Sequence, residues 1–395
     1  MSSASLALLP EDVAELISTR RQLHKHPELK FQEVESARLV AERLQGLGYQ
    51  VRTGIAGTGV VGLLETGREG PTVMLRADMD ALPITEENSV EYASQCAGVM
   101  HACGHDGHVA ALLATAKQLI ANSNRLRGTV KLVFQPGEEG GNGALKMIEE
   151  GVLESPHVDA AFGLHVWNNM PVGKIGVVTG PLMASVDEFH LVVKGRGGHG
   201  AMPHQTVDAI LVASQIVCAL QTIVSRQVNP LDCAVVTVGS FHAGSAFNII
   251  AETAELRGTV RTFSRELYQE IPELFKRIVQ GTATALGAQC EIKYERQCLP
   301  TINDANMAEL VRNIAAEVVG ADNVISDNTA RTMGGEDMSF FLERVPGCFF
   351  FVGSQNTDRG LVYPHHSPKF DFDEAALPIG TEILLRIALQ YLKRE

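Results

Sequence analysis

Met100-His-Ala-Cys-Gly-His-Asp-Gly-His108 is the stretch around which the predicted fold is organised. It places three histidines, one cysteine and one aspartate within nine positions. Small residues separate these side chains, so the backbone can bend and aim several of them at one point. Cys103 and His105 are one residue apart, which suits two ligands that converge from a turn on one transition metal. The alternative is a polar turn that caps the helix predicted at Val109–Ala121.

The composition is that of a globular protein with about two domains. The chain has 395 residues, 45% of them hydrophobic, and a formal net charge of −13. The negative charge argues against a nucleic-acid partner. Met1–Leu9 lacks the basic and apolar regions of a secretory signal, and we expect no apolar run of the roughly 18 residues that span a membrane. Because the seven cysteines show no clear pairing pattern, we expect reduced thiols in a cytoplasmic protein without a membrane partner.

Strands and helices alternate through most of the chain. Strand patterns occur at Val60–Glu65, Thr72–Arg76, Thr129–Gln135, Ala160–Leu164 and Gly347–Val352. Helical periodicity occurs within Pro10–Leu47 and at Val109–Ala121, Ala144–Glu150, Asn306–Val319 and Asp373–Lys393. This alternation predicts an α/β fold with a mixed sheet and helices on both of its faces.

A different order of elements begins near Ser185. Strand, helix, strand, strand, helix and strand patterns follow one another at Phe189–Lys194, Asp208–Ser225, Ala234–Phe241, Ala254–Phe263, Glu266–Leu286 and Gln289–Arg296. This β-α-β-β-α-β order is the split-βαβ, or ferredoxin-like, arrangement. We therefore predict an inserted domain at residues 185–298 and a discontinuous α/β domain at residues 1–184 and 299–395.

Further side chains of the types that bind metals follow strands or glycine turns. They are the pair Glu138-Glu139, His165 and the pair His365-His366. A lone histidine after a strand is usually structural, but several such clusters at loop positions favour one shared metal site.

The adjacent glutamates Glu138 and Glu139 suggest a division of roles. In an extended segment consecutive side chains point in opposite directions, so one carboxylate can bind metal while the other faces the substrate. Metal-assisted hydrolysis needs such a general base beside the metal and its water. The alternative is that both glutamates complement the dipole of the helix after Gly141.

Five motifs, spread along nearly the whole chain, carry a family resemblance. They are Arg76-Ala-Asp-Met-Asp-Ala-Leu-Pro83, His101-Ala-Cys-Gly-His-Asp-Gly-His108, Gln135-Pro-Gly-Glu-Glu139, Gly195-Arg-Gly-Gly-His199 and His366-Ser-Pro-Lys-Phe370. In this order they resemble the M20 metallopeptidase family. Within it the chain is similar to the amidohydrolase branch of hippurate hydrolases, N-acyl-amino-acid amidohydrolases and plant auxin-conjugate hydrolases.

The resemblance implies a two-metal catalytic domain with an inserted lid or dimerisation domain. It implies one or two divalent ions (zinc, manganese, nickel or cobalt) held by Cys103, His105, Glu139, His165 and His366. A thiolate makes such a site softer, which favours these metals over magnesium or calcium. It also implies Glu138 as general base and acid, and Asp80 as the aspartate that orients a ligand.

The inserted domain contributes residues that the resemblance links to the substrate. His199 matches a histidine that reaches the active site of the partner subunit and polarises the scissile carbonyl, which implies a homodimer or a dimer-based tetramer. Asn248 and Arg261 match residues that bind the substrate carboxylate. Many relatives have proline where Ala251 stands, which puts the local geometry in question. Strand alternation places Arg257 on the same face as Arg261, so the pattern does not separate the two arginines.

The function that the sequence predicts is metal-dependent hydrolysis of the amide bond in N-acyl-L-amino acids. An alternative within the family is a carboxypeptidase or dipeptidase that acts on short peptides. A thiol enzyme with Cys103 as nucleophile would keep its activity under chelation. A protein that only binds acyl-amino acids would have no need of Glu138 as a base.

Overall fold

The computed structural model describes residues 8–393 and divides the chain into two compact units. The first contains the chain up to Leu182, Ile302–Arg331 and the chain from Asp337 on. The second contains Met183–Thr301 and Thr332–Glu336. The sequence analysis placed the inserted domain at residues 185–298, within the longer segment of the second unit.

The first unit is built on an eight-stranded sheet. Its strands are β1 (Gln50–Ile55), β2 (Gly59–Glu65), β3 (Thr72–Asp78), β4 (Thr129–Gln135), β5 (Ala160–Pro171), β6 (Ile175–Gly176), β15 (Val324–Ile325) and β16 (Gly347–Gln355). They lie in the order β1-β2-β4-β3-β5-β16-β6-β15. The central strands β4, β3, β5 and β16 are parallel. At one side of them β2 pairs antiparallel with β4, and β1 with β2; at the other side β6 pairs antiparallel with β16 and parallel with β15. The predicted α/β fold with a mixed sheet is confirmed.

Helices flank this sheet, and the longest of them share one hydrophobic core with it. They are α1 (Pro10–Lys25), α2 (Val34–Gly46), α3 (His105–Ala121), α4 (Glu138–Gly141), α5 (Gly143–Glu149), α8 (Ala305–Val319), α9 (Ser339–Leu342) and α10 (Ala376–Tyr391). The central strands are buried over nearly their whole length, as expected for parallel strands covered on both faces. The sequence predicted β5 to end near His165, but the strand continues to Pro171.

The second unit has the predicted β-α-β-β-α-β order. Its main elements are β8 (Val186–Lys194), α6 (Ala209–Thr222), β10 (Ala234–Ala243), β12 (Thr253–Thr262), α7 (Arg265–Ala285) and β13 (Gln289–Cys298). The four strands form an antiparallel sheet in the order β10-β12-β8-β13, and its inward side chains share a core with α6 and α7. The short strands β9 (Gly198–His199) and β11 (Ile249–Ile250) pair separately. Two further short strands are β7 (Gly180–Met183) and β14 (Thr301–Asn303).

One helical run among residues 8–393 is by length and composition apolar enough to cross a membrane. It is Ala209–Gln227, with a mean hydropathy of 1.5. This corrects the expectation that no such run exists, because scattered serine and glutamine residues interrupt the apolar pattern without making it polar. Core helices pass the same test, and the inward side chains of this run, such as Val212 and Ile216, pack in the core of the second unit.

Candidate metal centre

The candidate metal centre lies at one edge of the large sheet. The strands β4, β3 and β5 are parallel neighbours. The carboxyl ends of parallel strands meet at one edge, where α/β proteins place their sites. Asp78 ends β3, Glu138 lies three residues after β4, and His165 lies within β5. His105 begins α3, the helix that follows the cysteine and histidine cluster.

Two groups of ligand atoms share Cys103. One consists of Cys103, His105 and His165, and the other of Cys103, Glu139 and His366; within each group the atoms lie within 4.8 Å of one another. Sγ of Cys103 is 3.5 Å from Nε2 of His165. Nε2 of His366 is 3.1 Å from Oε1 of Glu139. The structure thus brings together the five residues that the sequence analysis nominated as metal ligands.

Two of these histidines are oriented through their Nδ1 atoms. Nδ1 of His165 lies 2.6 Å from the backbone oxygen of Val166, and Nδ1 of His105 lies 2.8 Å from that of Asp80. A carbonyl can only accept, so each Nδ1 is the donor and Nε2 is left with a free lone pair. Nε2 of His105 is buried and has no hydrogen-bond partner among residues 8–393. A cation would satisfy this atom, so the donor set fits a metal ion.

His108 is used differently, although its ring lies within 4.8 Å of ligand atoms of Asp78 and His105. The backbone N–H of Val166 donates to Nε2 of His108 at 2.9 Å. Nδ1 therefore carries the proton and donates to Oδ1 of Asp78 at 2.6 Å. Because both ring nitrogens are hydrogen-bonded, His108 orients Asp78 and has no nitrogen left to bind a metal.

Glu138 and Glu139 lie in a tight turn, so the expectation of an extended segment was wrong. They begin α4, and Gly137 before it and Gly140 within it have φ values of +63° and +70°. Glycine adopts this left-handed region without strain, which lets the chain turn sharply here. Both carboxylates consequently reach the same centre, within 4.8 Å of each other and of a ring nitrogen of His105.

The carboxylate of Asp80 accepts two backbone hydrogen bonds from this turn. Its Oδ1 accepts from the backbone nitrogen of Glu138 at 3.0 Å, and its Oδ2 accepts from that of Glu139 at 2.9 Å. Its backbone oxygen is the partner of Nδ1 of His105. A single buried residue thus orients the turn with both glutamates and one histidine, which fits a support role close to a metal.

The electrostatics of the cluster depend on contacts between its thiol, imidazole and carboxylate groups. Burial raises the pKa of the Cys103 thiol, and the charge of Glu139 raises it further. Hydrogen bonds with Cys103 and Glu139 raise the pKa of His366 to about 10. Burial lowers the pKa of His165 well below its usual range. Since metal ligands must be deprotonated, a cation that binds here displaces protons from the thiol and the imidazolium.

The sequence analysis missed a buried polar network behind the centre. Arg76 is fully buried; its Nη1 donates to Oδ2 of Asp78 at 2.8 Å and its Nη2 to Oδ1 of Asp337 at 3.0 Å. Gln135 also donates to Asp337, at 2.7 Å. Arg76, Asp78 and Gln135 lie in the quoted motifs, but Asp337 is 202 residues from Gln135, so only the tertiary structure shows that they contact one another.

A second buried network involves α1. Arg20 and His24 are buried with Leu16 and Leu23 on one face of that helix. The proline at position 27 suggests that His24 is a polar group at a helix end, although its spacing from Leu16 and Arg20 matches the apolar stripe. That spacing was the signal that both side chains point inward.

In the second unit, His199 and Asn248 lie on paired segments. His199 is opposite Ile249 in the β9–β11 ladder, and the backbone N–H of Gly200 donates to the oxygen of Asn248 at 2.8 Å. The N–H of Ala201 donates to Nδ1 of His199 at 3.1 Å. Nε2 of this exposed histidine therefore carries the proton and can act as a donor.

The structure separates the two arginines that the sequence pattern left equivalent. Both lie on the sheet face opposite α6 and α7 and line a groove of about 380 Å³. Arg257 is exposed, and its Nε and Nη2 donate to Oε1 of Glu255. Arg261 is half-buried and donates through Nε to Oγ1 of Thr259 at 2.9 Å. Within residues 8–393 the two terminal nitrogens of Arg261 have no hydrogen-bond partner, so they are free to receive a carboxylate.

Comparison with known proteins agrees with this combination of an α/β sheet and a cluster of metal-binding side chains. The sequence matches the peptidase family M20/M25/M40 over residues 74–390. It is 40% identical to N-acetylcysteine deacetylase of Bacillus subtilis over 379 residues, which are 96% of this chain and 97% of the relative. It is also 40% identical to thermostable carboxypeptidase 2 of Saccharolobus solfataricus over 391 residues, which are 97% and 98% of the two chains.

A solved structure extends the similarity to three dimensions. The Bacillus subtilis YxeP protein, described as a dinuclear metal-binding peptidase from the M20 family, superposes with a TM-score of 0.83 at 37% identity. The match covers 97% of this chain and 99% of that protein. The chain is therefore a hydrolase of the M20 peptidase type. It belongs to the M20 peptidase family and, within it, to the amidohydrolase branch.

Proposed function

We propose that this protein is a metal-dependent amidohydrolase that cleaves N-acyl-L-amino acids to a carboxylic acid and a free amino acid. The observation that carries this proposal is the pair of ligand groups that share Cys103, with the Glu138 carboxylate beside them. The first unit would supply the catalytic centre, and the second would act as a lid or dimerisation domain. We place the protein in the cytoplasm.

The proposed cofactor is one or two divalent ions, from zinc, manganese, nickel or cobalt. Cys103, His105 and His165 would hold one ion, and Cys103, Glu139 and His366 the other. A thiolate and three imidazoles form a soft donor set, which disfavours magnesium and calcium. An ion held there would polarise the scissile carbonyl and lower the pKa of a water molecule toward neutrality.

Glu138 is the proposed general base and acid. Its carboxylate takes a proton from the attacking water and later delivers it to the leaving amide nitrogen. Nε2 of His199 can donate to the carbonyl oxygen as negative charge develops there. In this proposal His199 acts in the active site of a partner subunit, so the protein would be a homodimer or a dimer-based tetramer.

The proposed substrate has a free α-carboxylate. The unpaired end of the Arg261 guanidinium can bind both oxygens of that group, and Asn248 can add a further hydrogen bond. N-acetylcysteine deacetylase, named above, supports a substrate of this kind. The carboxypeptidase at equal identity supports the second candidate, a carboxypeptidase or dipeptidase, because a peptide substrate also ends in a carboxylate next to the cleaved amide.

A substrate panel on metal-reconstituted protein tests the proposal. The panel contains hippurate, N-acetyl-amino acids and dipeptides, and we expect the highest kcat/KM among the N-acyl-amino acids. Preference for dipeptides would support the second candidate. Activity that survives chelation would point to a thiol enzyme. Glu138→Ala should retain metal but lose turnover by several powers of ten; substantial residual kcat would contradict the assignment of the base.

A further inference from the structure

Three consecutive backbone N–H groups of the Gly137–Glu139 turn donate to carboxylates from elsewhere in the first unit. Asp80 accepts from Glu138 and Glu139, as described above. The third bond runs from the nitrogen of Gly137 to Oε1 of Glu33, at 2.9 Å. Glu33 lies in the segment between α1 and α2, about one hundred residues earlier in the chain, and none of the five motifs contains it.

Glu33 is fully buried and its two oxygens have different partners. Oε1 binds the Gly137 N–H, and Oε2 accepts from the hydroxyl of Thr58 at 2.5 Å. A buried carboxylate costs free energy unless it is hydrogen-bonded. Here the bonds are made, and one of them ends on the residue before Glu138.

Two neighbours of Glu33 contact the same turn. The ring of Phe31 fills the space above Gly137 and Gly141, where an added Cβ would come within 2.6 Å and 2.7 Å of ring atoms. Nζ of Lys30 donates to the backbone oxygen of Glu139 at 2.7 Å. The segment Lys30–Glu33 therefore contacts the turn through a carboxylate, a ring and an ammonium group.

The backbone of this segment is itself strained. Phe31 has φ +60°, a value that residues with a side chain adopt rarely. Such conformations persist only where surrounding contacts enforce them, and they cluster at functional sites. The backbone conformation of Phe31 brings its ring against Gly137. This contact indicates that the segment is shaped to pack on the turn.

We propose that Glu33 is a positioning residue, which fixes the place of the Glu138 carboxylate by holding the N–H of Gly137. The inference rests on the proposed role of Glu138 as general base. With Asp80 it completes a set in which each N–H from Gly137 to Glu139 has a carboxylate partner. Glu33 does not contact the ligand atoms of the centre, so its loss should move the base without removing metal.

The expected loss of kcat follows from how steeply the rate of proton transfer depends on the position of the base. A catalytic group displaced by about 1 Å can lose on the order of a hundredfold in rate. Without Glu33 the turn keeps the two bonds to Asp80, so a partial displacement is expected. We therefore expect Glu33→Ala to lower kcat roughly 10- to 100-fold.

The experiment compares three variants of the full-length, metal-loaded protein with an N-acyl-amino acid substrate. Glu33→Ala should lower kcat as stated, leave KM and bound metal unchanged, and shift the acidic limb of the pH–kcat profile. Glu33→Gln keeps an amide oxygen that can accept from Gly137, so it should stay within a few-fold of wild type. Glu28→Ala is the matched control, because Glu28 lies in the same segment and accepts two backbone N–H groups of α2.

Distinct outcomes separate this inference from the proposed function. Wild-type kcat in Glu33→Ala, or a loss of kcat that tracks a loss of bound metal, overturns the positioning role. Equal losses in Glu33→Ala and Glu28→Ala overturn it as well. If Glu33→Ala does not fold, Thr58→Val loosens the same carboxylate and should lower kcat a few-fold at unchanged KM; an unchanged kcat then overturns the inference. The proposed function itself fails if wild type lacks turnover of N-acyl-amino acids, prefers dipeptides or keeps its activity under chelation, or if Glu138→Ala retains turnover.

Discussion

Nε of Arg20 lies 2.8 Å from Oδ2 of Asp106, and both side chains are fully buried. The same guanidinium reaches Oδ1 of Asp371 through Nη2 at 2.9 Å. Asp106 follows His105, and Asp371 lies five residues after His366. One buried cation therefore joins two segments, distant in sequence, that carry ligands of the candidate metal centre.

This junction predicts that Arg20→Lys weakens metal binding. Lysine keeps the positive charge but has no planar fork, so it cannot bind both carboxylates in the same geometry. Changes in residues that orient ligands typically weaken metal affinity by about 10- to 100-fold. Competition with a chromophoric chelator measures the zinc affinity of the variant. Arg21→Lys is the control, since Arg21 is partly exposed and pairs with Glu374 rather than with Asp106 or Asp371. Equal zinc affinities in the two variants would contradict this role of Arg20.

The shared position of Cys103 predicts a change in metal preference when its sulfur is replaced. In Cys103→Ser the site loses its one soft donor, so zinc should bind at least tenfold more weakly while manganese loses less. Metal titration of the apo protein with each ion gives both affinities. The exposed Cys233 provides a control, and Cys233→Ser should bind both ions as wild type does. A uniform loss for both metals would show that the sulfur does not set the preference.

The difference between Arg261 and Arg257 predicts which of them binds the substrate carboxylate. Arg261→Lys should raise KM roughly tenfold or more, because a hydrogen bond to a charged group contributes about 1.5–3 kcal/mol. Arg257→Lys should leave KM within about twofold, since this exposed guanidinium is already paired with Glu255 and an exposed charge contributes little to binding. Steady-state kinetics with an N-acyl-amino acid and its uncharged amide analogue checks both. If Arg261→Lys affects the two substrates equally, the carboxylate contact is not made by this residue.

Periodicity and motif order predicted the fold well because local patterns determine these features. The parallel strands β3 and β4 are short, mainly apolar runs, and the second unit was recognisable from the order of its elements. The turn at Glu138 was misjudged because its shape depends on Gly137 and Gly140 together with Asp80, which follows β3. The burial of Arg20, His24 and Glu33 was missed because a buried charge looks like a surface charge until its partners are known. Those partners lie far away in the sequence, where no local pattern can point to them.

We predict that the buried Asp187 makes the free energy of unfolding depend on pH. Burial raises its pKa to about 6, even though the hydroxyl of Tyr294 donates to Oδ2 at 2.7 Å and the charges of Arg296 and Arg261 lie nearby. Oδ1 is buried and has no hydrogen-bond partner among the described residues. Because the folded-state pKa exceeds the ordinary aspartate value of about 3.9, the folded state binds this proton more tightly than the unfolded chain does. The resulting stabilisation is fully present below about pH 4 and is lost as the pH rises through about 6.

Asp187→Asn removes this pH-dependent contribution to stability and keeps a side-chain oxygen that can accept the hydrogen bond from the Tyr294 hydroxyl. Relative to wild type, the variant should therefore gain stability between pH 4 and pH 7, by on the order of 2–3 kcal/mol. Carboxylates with lowered pKa values, such as Asp106, make the protein more stable as the pH rises. They do so equally in wild type and variant, so the difference between the two proteins reports on Asp187 alone. Denaturant unfolding of the full-length chain at pH 4, 5, 6 and 7 measures the difference. A difference that stays constant across this range would mean that Asp187 is already ionised in the folded state at pH 4, and that its burial does not hold the proton.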